Sequence, residues 1–230
     1  MSQDLTNHRP HQFTPSNWWP LDTDSWETLK IAGEPIEFHF NKPDAENSQS
    51  PTYPWQLLAL NEQKVSSLTE NQIEGSLSPA AHLDGVLHLG ENSKILPGVV
   101  IEGNVVIGKN CKIGPNCFLR GNNSIGDGVV IGQAVELKNC IIGDGTFICH
   151  LSYLGDSVVG SQVNLGAGTI VSNFRHDATH HRTLVDGELV DTGLQKFGTI
   201  IGNGAHTGIN TSIYPGRKLG PGTTTRPAEV

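Results

Sequence analysis

The sequence predicts an all-β fold: a left-handed parallel β-helix of hexapeptide repeats, preceded by an N-terminal α/β or irregular cap region. Three observations carry that prediction. From Leu83 an aliphatic residue recurs every six positions, at Leu83, Leu89, Ile95, Ile101, Ile107, Ile113, Leu119, Ile125, Ile131 and Leu137. Glycine often follows it, as in Ile107-Gly108, Ile125-Gly126 and Ile131-Gly132. A small or β-branched residue often stands four places later, as at Ser93, Val99, Val105, Cys111, Cys117, Val129 and Val135. A period of six fits neither a helix nor plain strand alternation. It is the signature of a solenoid in which each hexad is one short strand and a turn. Three hexads close a triangular coil with the aliphatic residues inward, and successive coils stack through parallel pairing.

The register continues through two one-residue deletions, to Ile142, Ile148 and Leu154 and then to Val159, Leu165 and Val171. After an interruption it resumes at Ile201, Thr207, Ile213, Leu219 and Thr225. The expected division is therefore a Trp-rich cap over 1–82 and a solenoid over 83–230 with an inserted loop at 174–197. The cap holds Trp18, Trp19, Trp26 and Trp55, a polar loop from Asn41 to Pro54, and apolar residues at helical spacing from Pro54 to Glu62. That spacing predicts a short helix. In the insert, Thr183-Leu184-Val185 and Glu188-Leu189-Val190 flank Asp186-Gly187, a favoured two-residue hairpin turn. An excursion of this kind from a rigid scaffold reads as a lid or substrate loop.

Composition narrows the partners. A net charge of −8 argues against nucleic acid and anionic membranes. No apolar run is long enough to span a bilayer, and Met1 to Pro10 is polar, so a cytoplasmic location is expected. Cys111, Cys117, Cys140 and Cys149 show no CxxC pairing and are expected to be free thiols. His176, His180 and His181 sit in the insert without a strong ligand spacing, so no metal is expected.

The register also says which side chains meet. Arg120 follows Leu119, and Lys138 follows Leu137 one coil later, so the two cations should stack about 4.8 Å apart. Stacked like charges repel unless offset, by Glu136 or by a bound phosphate. Glu136 and Tyr153 form a second column, with His150 nearby. A histidine with a carboxylate partner suits a general base.

Two runs carry a resemblance. They are Cys149-His150-Leu151-Ser152-Tyr153-Leu154-Gly155-Asp156 and Val163-Asn164-Leu165-Gly166-Ala167-Gly168-Thr169-Ile170-Val171-Ser172-Asn173-Phe174. From about Leu83 to Pro227 the chain resembles the acetyltransferase domain of the bifunctional N-acetylglucosamine-1-phosphate uridylyltransferase / glucosamine-1-phosphate acetyltransferase family. The segments Asn173 to Asp177 and Lys196 to Gly198 are more similar to related sugar-1-phosphate nucleotidylyltransferase–acetyltransferase proteins. The resemblance implies a CoA-dependent N-acetyltransferase acting on an amino-sugar phosphate, with acetyl-CoA as co-substrate and a homotrimer whose sites lie between subunits. It implies His150 as catalytic base and Glu136 as the acid that orients it. Arg120 and Lys138 would grip the phosphate, Tyr153 and Asn164 would contact the sugar, Asn173 would make another substrate contact, and Lys196 would serve the phosphate side. Ala167 would lie by the thioester. Phe174 stands where the family usually has Tyr, Ile209 where it usually has Ser, and the C-terminal segment that helps hold CoA is short. Nucleotidyl transfer is not expected, since residues 1–82 leave no room for that domain. The alternative reading is a non-catalytic sugar-phosphate-binding or trimerisation module.

Overall fold

The computed structural model describes residues 30–31, 33–35, 53–185 and 188–229. Trp18, Trp19, Trp26, most of the loop from Asn41 to Pro54 and the Asp186-Gly187 turn lie outside the described residues. The described chain is a left-handed parallel β-helix with one short helix packed on its side. Its three faces carry six, seven and eight parallel strands. The first runs from Ser76–Leu77 to Asn164–Leu165, the second from His82–Asp84 to Ser212–Ile213, and the third from Gln72–Ile73 to Arg217–Leu219.

The register is the one the hexads predict. Ile113 pairs with Ile131, Leu119 with Leu137 and Ile125 with Ile142. These side chains form one continuous buried column inside the solenoid. Both one-residue deletions fall in corners and leave the pairing intact, as Ile131 meeting Ile148 and Ile142 meeting Val159 show. Ser93, Cys111 and Cys117 fill the small inward positions. The Cys111 and Cys117 thiols donate to the Gly126 and Gly132 carbonyls of the next coil, at 3.0 and 2.7 Å. All four cysteines are free. Burial pushes the thiols of Cys117 and Cys140 up, to about 11 and about 12.

The solenoid starts earlier than the boundary expected at 82/83. Ile73 already pairs with Leu89, and Leu77 with Ile95. The first coil is polar outside and interrupted by Gly75, so it lacks the dense aliphatic signal of later coils.

A second core lies outside the barrel. The outward residues Ile141, Val158 and Ile200 of the third face are covered by Trp55, Leu57 and Phe197. The first two belong to a 3₁₀ turn, Pro54–Gln56, that runs into the helix Leu57–Ser66. Proline at the first position suits a helix start because its missing N–H would have no intrahelical partner there. Polar contacts set the helix in place. Ser124 donates its hydroxyl to Asn61 Oδ1 at 2.6 Å, and Asn61 Nδ2 donates to the Asn122 carbonyl at 2.9 Å. Asn104 Nδ2 donates to the Val65 carbonyl at the helix end.

The insert does form a hairpin, Arg182–Val185 against Glu188–Asp191. Its partly buried Val185, Val190 and Leu194 join the third-face core. Lys218 Nζ donates to the Leu184 carbonyl at 2.6 Å. The hairpin is thus docked on the third face rather than arched over the second, because its apolar residues find cover beside Phe197.

Candidate functional site

The polar side chains gather on the second face. Arg120 and Lys138 are register partners, as the hexads require, and Gly155 follows them in the same column. The like charges do not confront each other, because each cation turns to a carboxylate. Arg120 donates Nε–H to Glu136 Oε1 at 2.7 Å, and its Nη2 is 2.6 Å from the same oxygen. The Glu136 hydrogen bond and charge hold the guanidinium above its ordinary pKa. Lys138 donates to both oxygens of Asp156 at 3.0 Å.

Asp156 is only 8% exposed. It also accepts from Asn139 Nδ2 at 3.0 Å and from Asn173 Nδ2 at 2.5 Å. Glu136 is the register partner of Tyr153. Burial raises the Tyr153 phenol above its usual range, so it stays a hydrogen-bond donor at neutral pH.

Gly155 makes this convergence possible. A Cβ built there would lie 2.5 Å from Asn173 Nδ2 and 2.6 Å from the Tyr153 hydroxyl. The missing side chain is the space into which both polar ends reach. Sequence reasoning passed over Gly155 and Asp156, although both lie in the run from Cys149 to Asp156. The available signal was a glycine in register with Lys138, at a position where a side chain would otherwise stack.

His150 ends the first-face strand Phe147–His150, pairs with Gln133 and is exposed. Its ring makes no hydrogen bond among the described residues. The corner after it turns at Leu151, whose φ of 51° is left-handed. Glu136, expected to orient His150, is instead bound to Arg120. An exposed imidazole offers Glu136 less than a charged guanidinium one coil away, which explains the choice.

Asn164 and Ala167 are not brought to the second-face cluster. Asn164 is an outward residue of the first face, paired with Phe147 and bridged to His206. With Cys149 and Gln162 these residues line an open groove of about 560 Å³. Ala167 lies at the next corner, where its carbonyl accepts from Asn210 N at 2.8 Å. Lys196 returns the chain from the insert. It forms a bridge with Phe174 and is exposed. Phe197 N donates to the Asn173 carbonyl at 2.9 Å, which closes the insert's neck beside the cluster. Among the described residues no group of His, Cys, Asp and Glu is arranged to hold a metal ion.

Comparison with known proteins agrees with this architecture. Residues 101–214 match the model of the GMPPB C-terminal domain family. That match includes every second-face site residue from Arg120 to Asn173. The chain is also similar to the bifunctional sugar-1-phosphate nucleotidylyltransferase/acetyltransferase of Sulfurisphaera tokodaii. The identity is 37% over 167 residues, covering 73% of this chain and 42% of that protein. It is 34% identical to the bifunctional protein GlmU of Methanococcus aeolicus, over 73% of this chain and 40% of that protein. It is 38% identical to the uncharacterized acetyltransferase YaiX of Escherichia coli, over 64% of each. The chain thus spans less than half the length of the two bifunctional relatives. Acetyltransferases recur among these relatives.

Proposed function

We propose that this protein is a CoA-dependent N-acetyltransferase whose acceptor is an amino-sugar phosphate. The observation that carries the reading is the column of Arg120 and Lys138 that ends at Gly155, where Tyr153 and Asn173 reach into the gap. Two cations with fixed hydrogen-bond donors beside them suit a phosphorylated sugar. In this reading, phosphate draws on Arg120 and Lys138, while Tyr153 and Asn173 meet sugar hydroxyls. His150 takes a proton from the amine as its nitrogen bonds to the acetyl carbon, and the C–S bond of acetyl-CoA breaks to release CoA. Glu136 serves His150 once phosphate has engaged Arg120.

Asn164 and Ala167 lie around the corner from Lys138. A ligand that touches both sets fits best between two copies of the chain, as a homotrimer with intersubunit sites would provide. Leu151, Ile170, Phe174, Ile209 and Tyr214 are exposed apolar side chains near that corner and the second face, which such packing would cover. Lys196, at the neck of the insert, is assigned to the phosphate side and Ala167 to the thioester side. The helix ahead of the solenoid and the solenoid itself would act as one unit, since the helix and the hairpin share one core on the third face. No helix among the described residues is long and apolar enough to cross a membrane. A cytoplasmic setting, where acetyl-CoA is made, suits this reading.

A second reading has its own support. Both cations are already neutralised by Glu136 and Asp156, and His150 has no carboxylate partner among the described residues, as a non-catalytic sugar-phosphate-binding or trimerisation module would allow. The test is acetyl-CoA consumption, followed as free thiol, across a panel of amino-sugar phosphates. Turnover that disappears in His150→Ala, with the melting temperature kept, supports the enzyme. Absence of turnover together with absence of CoA binding by calorimetry supports the module.

A further inference from the structure

The corner that follows the second face repeats along the solenoid as Gly85, Gly103, Gly121, Asn139 and Asp156, and all five have positive φ. Each of the last four donates its N–H to the carbonyl one coil below, Gly103 to Asp84, Gly121 to Glu102, Asn139 to Arg120 and Asp156 to Lys138. Glycine enters this left-handed conformation most readily, and asparagine and aspartate tolerate it. The turn therefore needs no carboxylate, and four preceding corners manage without one. Asp156 nevertheless puts a nearly buried charge at this place.

Its partners explain the choice. Lys138 uses two of its three ammonium donors on the two oxygens. Asn173, from the coil above, donates to Oδ2, while Asn139, from the coil below, donates to Oδ1. One carboxylate so ties three side chains from two coils, two of which border the gap at Gly155. It leaves Lys138 one N–H beyond those two bonds, and it holds the Asn173 amide nitrogen at the gap that the Tyr153 hydroxyl also reaches.

We infer that Asp156 is a positioning residue: it aims the Lys138 ammonium and the Asn173 amide at a phosphorylated sugar and restrains Lys138 from binding anions indiscriminately. The inference rests on the acceptor-site reading above. It makes an unusual demand on a carboxylate beside a phosphate site. Removing the charge should help a bare anion and harm the oriented substrate.

Asp156→Asn tests this, since asparagine already serves the same corner at Asn139. The variant should fold with a nearly unchanged melting temperature. Inorganic phosphate, titrated by calorimetry, should bind as well as in the wild type or more tightly. Turnover of glucosamine 1-phosphate, or of the panel acceptor that the wild type prefers, should fall by about tenfold to a hundredfold, the scale of a misplaced reactant. In an Asn173→Ala background the same change should cost under about threefold, because the shared partner is gone. Phosphate binding and turnover that fall together with the melting temperature would make Asp156 purely structural and overturn the inference. Wild-type behaviour of Asp156→Asn would overturn it while leaving the acceptor site standing. A wild-type protein that neither binds nor acetylates any amino-sugar phosphate would overturn the acceptor-site reading, and this role with it.

Discussion

Arg120 and Glu136 stand one coil apart on the second face, and both Nε and Nη2 of the arginine converge on one carboxylate oxygen, at 2.7 and 2.6 Å. Both side chains are about one-third exposed, 36% and 32%. A pair so accessible contributes little to stability, about 1 kcal/mol or less. Its consequence is competition, because the guanidinium that would meet a phosphate is already occupied. Glu136→Gln should leave the denaturant midpoint almost unchanged and tighten inorganic phosphate binding. Arg120→Ala should weaken it. Calorimetric titration of both variants checks this, and equal affinities in all three proteins would remove the competition.

Gly155→Ala isolates the gap in the acceptor cluster. The glycine's backbone is not in the left-handed region, so alanine adds no turn strain. The added methyl must push aside the Asn173 amide and the Tyr153 hydroxyl. We expect a folded protein whose KM for a sugar phosphate rises about tenfold or more, the scale of a modest misplacement of binding groups. An unchanged KM, measured over the same acceptor panel, would show that neither group touches the acceptor.

Phe197 joins the insert's neck to the helix through Trp55, with ring centroids 6.3 Å apart. It is fully buried. Phe197→Ala should cost about 3–5 kcal/mol, the usual range for a large core aromatic. Limited proteolysis should then cut first in the hairpin. Retained protection would mean that Lys218 and the hairpin's own ladder hold it alone.

His181 is buried beneath the hairpin, edge-on to Phe197, with its ring 3.2 Å from the Gln195 carbonyl. Burial holds its pKa below the ordinary value of 6.5. In the unfolded chain the imidazole binds a proton near pH 6.5, whereas in the folded chain it resists. Stability tied to His181 is therefore full above about pH 6.5 and lost as pH falls toward the lower folded value. The wild type should lose more melting temperature than His181→Phe between pH 7.5 and pH 5.5. Parallel curves would assign the acid sensitivity to other groups.

The solenoid was legible because its physics is local and repetitive. One aliphatic residue per hexad must point inward, so Leu119, Leu137 and Leu154 announce three coils and align Arg120 with Lys138 without any tertiary information. Glu136 beside Tyr153 follows from the same arithmetic. The start of the barrel was harder to see. The coil holding Ile73 and Leu77 has few aliphatic residues, and its short strands are partly exposed, so the period had not yet declared itself at 82/83.

Which partners those side chains choose was beyond the sequence. Register brings Arg120 near both Lys138 and Glu136, but only the folded chain decides that the guanidinium turns to Glu136 and that His150 is left without it. Asp156 read as the last residue of a familiar run, and its role appeared only when Lys138, Asn139 and Asn173 were seen to converge on it.

The sequence by itself determined the fold and the axial order of its residues, because a six-residue period leaves a chain few other ways to bury its aliphatic column. The tertiary structure decided where the hairpin docks, which carboxylate answers which cation, and what fills the space at Gly155. Those outcomes depend on contacts between coils and on competition for hydrogen bonds at the surface, where several partners lie within reach and no periodic rule selects among them.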